Sequence, residues 1–513
     1  MTLALTKKED PDVEHKITLN VKQKLCIEKI NHFISQNTDK YFYLLGYAGT
    51  GKTFLIGKII RDLLYANKMD HIFVCAPTHQ ALYVMESYLK SNLSPTEQVN
   101  FLTKMSFMTI HKLLEFKPVI MAEDGSKIFK SNKESKFLKQ MEDKLIVIDE
   151  CSMISKEMVA ELNKYIDLYP IKVIFLGDQA QLPPVHETES IIFSTIPKGY
   201  KHYILLDEIM RTKSPDIKTV STIIRNWNQK DTLNKLLLPI HSKKSATKTF
   251  KLYHKKPNYL EATWFKSFIA KLDEGKIPII LTWRNNAADT YNKVIRKHVH
   301  KVTDLNNYVC GDYAMFNNYY TSPEDNSSFY TSNMIKIVNI NTEKKVLFDW
   351  SKILLPEQKT IIDKGLNILI KKLAKLQNEF HVESFTVERI YSDTNQIVPG
   401  KTYNVQTIQR SDLEEYREML KLVQEHIEFF YKKYKSEPHA NKLWDVYHKR
   451  LVDPYAELSF GYSITTHKSQ GSTFDTVFVD VDDISQNPDV DELQHMLYTA
   501  ATRCSNELGF LLS

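Results

Sequence analysis

Leu44-Leu45-Gly46-Tyr47-Ala48-Gly49-Thr50-Gly51-Lys52-Thr53 is the stretch on which the reading of this chain turns. The apolar run from Tyr41 to Leu45 predicts a buried strand, and Phe54-Leu55-Ile56-Gly57-Lys58-Ile59-Ile60 predicts the helix that follows the glycine-rich turn. Gly46, four residues, then Gly51-Lys52-Thr53 is the P-loop spacing, in which backbone N–H groups from Gly46 to Gly51 close around phosphate oxygens at a helix N-terminus. Lys52 is then expected to reach the β and γ phosphates of ATP, and Thr53 to hold Mg²⁺. The plain alternative is a glycine turn that happens to precede a lysine. The strand before it and the helix after it argue for the phosphate site.

Outward from that motif, 513 residues are too many for one core and suit three or four modules. A hydrophobic fraction of 42% and a charged fraction of 25% are those of a globular chain, not a disordered one. A net charge of +6 is modest for this length, so any nucleic-acid contact must come from local clusters of lysine and arginine. Cys26, Cys75, Cys151, Cys310 and Cys504 are scattered, with neither a zinc spacing nor a disulfide framework. The first twenty residues lack a signal-peptide core, and no apolar run reaches bilayer length. The expectation is a cytoplasmic protein without a membrane partner, with residues 1–15 as a loose tail.

Further strand-helix units follow. Gln23 lies on an amphipathic helix ahead of the P-loop strand, where its amide reads as an adenine contact or as a solvated side chain. His71 to Ala76 predicts a second buried strand, ending in Pro77-Thr78-His79, and Thr109-Ile110-His111 opens another helix. Lys144 to Ile148 delivers Asp149 and Glu150 to a strand end, where two carboxylates are costly unless employed. Asp149 suits a Mg²⁺ ligand, and Glu150 the group that polarises an attacking water. Val173 to Leu176 leads to Gly177-Asp178-Gln179-Ala180-Gln181-Leu182-Pro183-Pro184-Val185, with Gln179 as γ-phosphate sensor. Arg211, after Leu205 to Met210, is placed to neutralise transition-state charge. Between these units, Phe116 to Lys139 contains two short apolar segments around Asp124-Gly125, which predicts a β-hairpin. It carries Lys127, Lys130, Lys133, Lys136 and Lys139 around Phe129. That pattern suits base stacking beside a phosphate track, or a solvated lysine-rich loop.

Taken in order, Gly46 to Thr53, Ala76 to His79, Thr109 to His111, Asp149 to Met153, Gly177 to Val185 and Leu206 to Arg211 resemble the motif series of superfamily 1 helicases. The nearest resemblance is to the Dda-like group related to RecD, which moves 5′ to 3′ on single-stranded DNA. Ser463 to Thr473, with Thr465, His467, Gln470 and Gly471, resembles the fifth motif of that family. Leu493 to Arg503 resembles the sixth, with Arg503 as a second arginine reaching the phosphates from the opposite domain. The resemblance implies Gln23, Gln470 and Gly471 at the nucleotide, and Pro77, Thr78, His79, Thr109, His111, Thr465 and His467 on the strand, with Phe129 at the hairpin tip to part the duplex.

The implied fold is α/β, with two RecA-like P-loop domains built on parallel sheets. Residues 16–112 and 144–225 form the first, with the hairpin at 113–143. Residues 226–312 and 455–513 form the second, and 313–454 an SH3-like accessory domain. Within it, Ile362, Leu366, Leu369, Leu373 and Leu376, and Leu413, Tyr416, Leu420, Val423, Ile427, Phe430 and Tyr434, recur at helical spacing. Ser411-Asp412-Leu413-Glu414 reads as a capping box for the second helix. These helices are expected either as an arm buttressing the hairpin or as ordinary core of the accessory domain. The family implies ATP and Mg²⁺, single-stranded and forked DNA, a monomer, and partners among single-strand-binding, replication, recombination or repair proteins. A translocase that displaces proteins without unwinding, or an RNA-directed helicase, would share these motifs.

Overall fold

A computed structural model describes residues 19–513 apart from 37–38, 70, 92, 132–143, 185–186, 188, 211, 213, 228–248, 302–305, 354–359 and 392–395. Arg211, Lys133, Lys136, Lys139 and the proposed tail therefore lie outside the described residues. The chain enters through helix Val21–Ser35, started by a reciprocal pair of bonds between Asn20 and Gln23.

In chain order come β1 (Tyr41–Gly46), β2 (His71–Ala76) and β3 (Met105–Thr109). The hairpin β4 (Phe116–Ile120) and β5 (Lys127–Ser131) follows, then β6 (Lys144–Ile148), β7 (Lys172–Gly177) and β8 (Tyr203–Leu206). Strands 1, 2, 3, 6, 7 and 8 form one parallel sheet in the order β3-β2-β6-β7-β1-β8. Both faces are covered, so these strands are apolar throughout. Along β1, Phe42 and Leu44 pack beneath Leu55, Ile59 and Leu63 of helix Lys52–Tyr65. Tyr43 and Leu45 point to the opposite layer, with Leu162 and Ile166 of helix Lys156–Leu168. In this doubly covered sheet, loops at the strand C-termini are the natural ligand edge.

The second core sheet is also parallel, in the order β18-β10-β19-β20-β9. Its strands are β9 (Phe250–His254) and β10 (Ile279–Thr282), then, after a long insertion, β18 (Ser463–Thr465), β19 (Phe474–Asp480) and β20 (Cys504–Leu512). Helix Pro215–Arg225 buries Ile217, Val220 and Ile224 in this second core against helix Val490–Thr502. The first domain thus ends before that helix, not at residue 225, because its apolar face has its partner in the second lobe.

The insertion holds β11 (Tyr313–Phe316), the two-residue strands β12 (Tyr320–Thr321) and β13 (Ser328–Phe329), β14 (Met334–Val346), β15 (Glu379–Tyr391), β16 (Gln396–Ile408) and β17 (Leu458–Phe460). Strands 16, 15, 14, 11 and 17 form one antiparallel sheet in that order. The accessory sheet therefore closes at Phe460, beyond the expected boundary at 454. Helices Ile361–Leu373, Leu413–Tyr434 and Glu437–Val446 form a separate core around Leu366, Leu373, Val423, Ile427, Phe430 and Trp444. The expected capping box at Ser411 is absent. The Asp412 carboxylate instead accepts bonds from the backbone N–H of His381 and from Ser411, and pairs with the His381 ring, tying the helix start to β15.

The predicted hairpin forms, but its tip is docked. Trp444 donates its indole N–H to the Ala122 carbonyl at 3.2 Å, and Lys127 pairs with Asp453 at 2.8 Å. The His448 ring meets the Gly125 carbonyl at 3.0 Å. Phe129 is not at the tip. It lies mid-strand opposite Pro118, is 53% exposed, and packs against His111 with ring centres 5.4 Å apart. Among the described residues, no helix is long and apolar enough to cross a membrane.

Candidate nucleotide site and strand-binding edge

The P-loop leaves β1 at Gly46 and turns through Gly49 and Gly51, whose φ of +78° and +85° lie where side chains are strained. Gly51 occupies the N-cap of helix Lys52–Tyr65 without a side-chain bond, so the first helical N–H groups face the loop. Thr50 is buried and donates to the Tyr47 carbonyl. Lys52 extends across the loop and donates to the carbonyls of Gly46 at 2.6 Å and Tyr47 at 3.2 Å.

Part of this loop lines a cavity of about 270 Å³. Its walls are Ala48, Gly49, Gly51, Lys52, Thr53, Asp149, Glu150, Gln181, Met210 and Arg503. Asp149 sits at the end of β6, its carboxyl pushed up to about 7 by burial first and by the Glu150 carboxylate second, with Lys52 and a bond from Thr53 opposing. A buried carboxylate joined to the P-loop hydroxyl suits Mg²⁺. That ion takes one or two protein oxygens, with water and phosphate completing its shell. The described residues hold no cluster of three His, Cys, Asp or Glu that would form an all-protein cage. Glu150 adopts φ +50° and donates its N–H to Asp149, a strained backbone of the kind that collects at functional sites.

Arg503 arrives from the second lobe, at the end of helix Val490–Thr502. It is buried, its guanidinium held by the carbonyls of Thr499 and Ser472 at 3.3 Å each. Gln179 is exposed and does not line the cavity; Gln181, two residues on, does, with its amide 3.5 Å from Asp178. Asp178 holds this turn, accepting the Ala180 N–H with one carboxylate oxygen and the Gln181 amide with the other. Gln23 is buried and its amide caps its own helix while approaching the Thr50 carbonyl at 3.5 Å, so it braces the loop. Gln470 and Gly471 lie outside the cavity wall, Gly471 against Gln80 and Ala81 of the first domain.

Two second-lobe side chains, Tyr498 and Arg225, make contacts across the lobes that escape sequence reasoning. The Ala48 N–H donates to the Tyr498 hydroxyl at 3.1 Å, and that hydroxyl donates to Asp178 at 2.9 Å. One second-lobe side chain thereby joins the P-loop to the strand end bearing Gln181. The Arg225 guanidinium lies 3.5 Å from the Tyr47 ring centre. Helix amphipathicity marks both elements as core, and only their placement reveals the contacts.

The expected strand contacts gather at the C-terminal ends of β2, β3 and β18. Pro77, Thr78 and His79 follow β2, and Thr78 accepts the Ala81 N–H. Thr109 uses its hydroxyl to cap the helix that carries His111, and Thr465 is buried in β18. His467 stands partly exposed, 3.5 Å from Glu492. Of the lysines at 243–256, Lys251 and Lys255 form ion pairs with Glu507 and Asp480, and Lys243, Lys244 and Lys248 fall outside the described residues.

Residues 31–187 match the model of an AAA domain, and residues 460–511 that of a UvrD-like helicase C-terminal domain. An uncharacterized protein of Acanthamoeba polyphaga mimivirus is 52% identical over 493 residues, 96% of this chain and 99% of its own length. Among solved structures, the Pif1 helicase from Candida albicans aligns with a TM-score of 0.47 at 16% identity, covering 97% of this chain and 95% of that one. A Bacteroides Pif1 helicase in complex with ADP-AlF3 and single-stranded DNA aligns at 0.43 and 16%, covering 94% and 91%.

Proposed function

The chain belongs to the superfamily 1 helicases, and from that premise we propose an ATP-dependent DNA helicase of the Dda-like group that moves 5′ to 3′ along single-stranded DNA and separates duplex at a fork. One observation carries the reading: Arg503 of the second lobe lines the same cavity as Lys52, Thr53, Asp149 and Glu150 of the first. Such a site is complete only when both lobes meet.

In this mechanism the P-loop N–H groups and Lys52 bind the phosphates; Thr53 and Asp149 would hold Mg²⁺, which would neutralise phosphate charge. Glu150 orients the attacking water and takes its proton, while Gln181 senses the terminal phosphate from the neighbouring strand end. Arg503 stabilises charge developing on the transferred group, and Arg211 is read as its counterpart. Loss of the terminal phosphate loosens the tie between lobes, and the strand contacts after β2, β3 and β18 shift with them. We read the accessory sheet as SH3-like and the hairpin, braced by the helical arm, as the wedge. Hydroxyls and imidazoles at these edges contact phosphates without reading sequence, as stepping requires.

The test is ATP-driven unwinding of duplexes carrying either a 5′ or a 3′ single-stranded tail, alongside displacement of a protein block and stimulation of ATP hydrolysis by DNA and RNA strands. Unwinding from the 5′ tail alone, lost in Lys52→Ala with DNA binding retained, is expected. Normal ATP turnover by Lys52→Ala overturns the site.

A further inference from the structure

The accessory insertion reaches back to the strand edge at a point that no motif marks. The short strands β12 and β13 pair Tyr320 with Phe329, which makes Tyr319 and Tyr330 neighbours across the mouth of that small hairpin. The Tyr330 ring stacks on His79 with centres 3.9 Å apart and planes 12° apart, and Tyr319 lies 5.5 Å from Tyr330 and 6.3 Å from His79. Around this cluster the same segment touches both lobes. Asn333 donates to the Gln80 side chain at 2.9 Å, and Lys468, next to His467, donates to Asn317 at 2.7 Å. Arg389 lies over Phe329 at 4.5 Å and fixes the hairpin from behind.

We propose that Tyr319, Tyr330 and His79 form a base-stacking subsite for unpaired DNA, built jointly by the accessory domain and the first core sheet. The proposal rests on the DNA-helicase reading and extends its strand track onto the accessory domain. Three observations carry it. The rings sit at the C-terminal end of β2, on the edge where the strand contacts of both lobes converge. Tyr319, an aromatic ring at the outer end of the cluster, is 57% exposed, and an exposed ring beside parallel rings is a ready platform for a base. Burial, with His111 and Lys112 nearby, lowers the His79 imidazole below its usual value, so the ring is neutral and presents a π face. His111 and Phe129 provide a second pair of rings along the same edge, toward the hairpin. Stacking of this kind grips every base alike, which suits a moving protein.

The experiment measures binding of the full-length protein to a labelled oligo-dT and to an abasic deoxyribose-phosphate oligomer of equal length, by fluorescence anisotropy at one salt concentration. Tyr319→Ala and Tyr330→Ala are each expected to weaken oligo-dT binding roughly 5- to 100-fold, the range for losing one base-aromatic stack. Tyr319→Phe and Tyr330→Phe retain wild-type affinity, and binding of the abasic oligomer is the same for all. Equal losses on both oligomers would mean that the rings only latch the accessory domain, and unchanged dT affinity in both alanine variants would remove the subsite. If the wild-type protein binds neither oligomer, the DNA-helicase reading itself fails.

Discussion

At Asp149 the burial that suits a cation site also sets a pH dependence. With its carboxyl raised to about 7, the folded chain still holds a proton that the unfolded chain releases near pH 4. The folded state therefore binds more protons across that window, so this group makes stability fall as pH rises from about 4 to about 7, and its cost is complete above. Asp149→Asn is expected to raise the melting temperature of the nucleotide-free protein at pH 8 and to leave it unchanged near pH 4. Calorimetry at both pH values reads the difference, and Mg-ATP binding by the wild type should tighten between pH 6 and 8. Tyr498 makes a second case. Tyr498→Phe leaves the Ala48 N–H and Asp178 short of a partner, which costs about 1–3 kcal/mol if it falls on the transition state, and about tenfold in kcat for each 1.4 kcal/mol. The expected signature in steady-state ATP hydrolysis is a lower kcat with KM little changed. Lys52, Thr53, Asp149 and Glu150 are legible in sequence because strand ends place them whatever the details of the loop. Gln181 is not, because Gln179 and Gln181 differ only in which way a turn held by Asp178 faces them.

At the level of elements, legibility followed periodicity. The helical repeat from Leu413 to Tyr434 is visible because one face is buried in a core with Leu366 and Leu373. Strand β15 alternates buried Phe380, Val382, Phe385, Val387 and Ile390 with polar positions, but the alternation slips phase at Glu383-Ser384 and again at Glu388-Arg389, which hides its period of two. The meeting of hairpin and arm involves residues more than 300 positions apart, as between Gly125 and His448, which local pattern does not register. That contact offers a separation-of-function test. Gly125 has φ +69°, and a methyl group there would lie 2.3 Å from the Trp444 ring. In Gly125→Ala the left-handed conformation alone costs about 1–2 kcal/mol, enough to shift the docked hairpin population roughly tenfold before the clash is counted. Strand separation per ATP consumed should therefore drop while DNA-stimulated hydrolysis persists, as measured by paired unwinding and phosphate-release assays. Equal loss of both would make the hairpin a structural part of the motor instead of its wedge.

For the molecule as a whole, what matters is that neither lobe owns the cavity. Helix Val490–Thr502 lies in the second core through Met496, Leu497 and Ala500, yet its side toward the first lobe carries Tyr498 to the P-loop, His495 to the Ala180 carbonyl and Arg503 to the cavity beside Lys52. In the proposed mechanism this helix is the lever that couples what the P-loop holds to the position of the second lobe. Arg503 is the sharpest probe of that lever, because its backbone position at the helix end is fixed by Thr499 and Ala500 while the residue itself lines the cavity. Arg503→Ala should leave nucleotide binding to the first lobe nearly intact, since the P-loop, Lys52 and Asp149 are untouched. Turnover should fall by about 10³-fold or more, the range for removing a transition-state arginine. Arg503→Lys should recover little, because an ammonium does not reproduce the fork of donors that a guanidinium offers to phosphate oxygens. Nucleotide affinity by fluorescence titration, set against single-turnover hydrolysis, separates the two effects. Loss of binding in step with loss of turnover would mean that Arg503 merely helps to fold the cavity. Retained binding with abolished turnover would mean that the chemistry waits for the second lobe, the condition for coupling each hydrolysis event to a relative movement of the two.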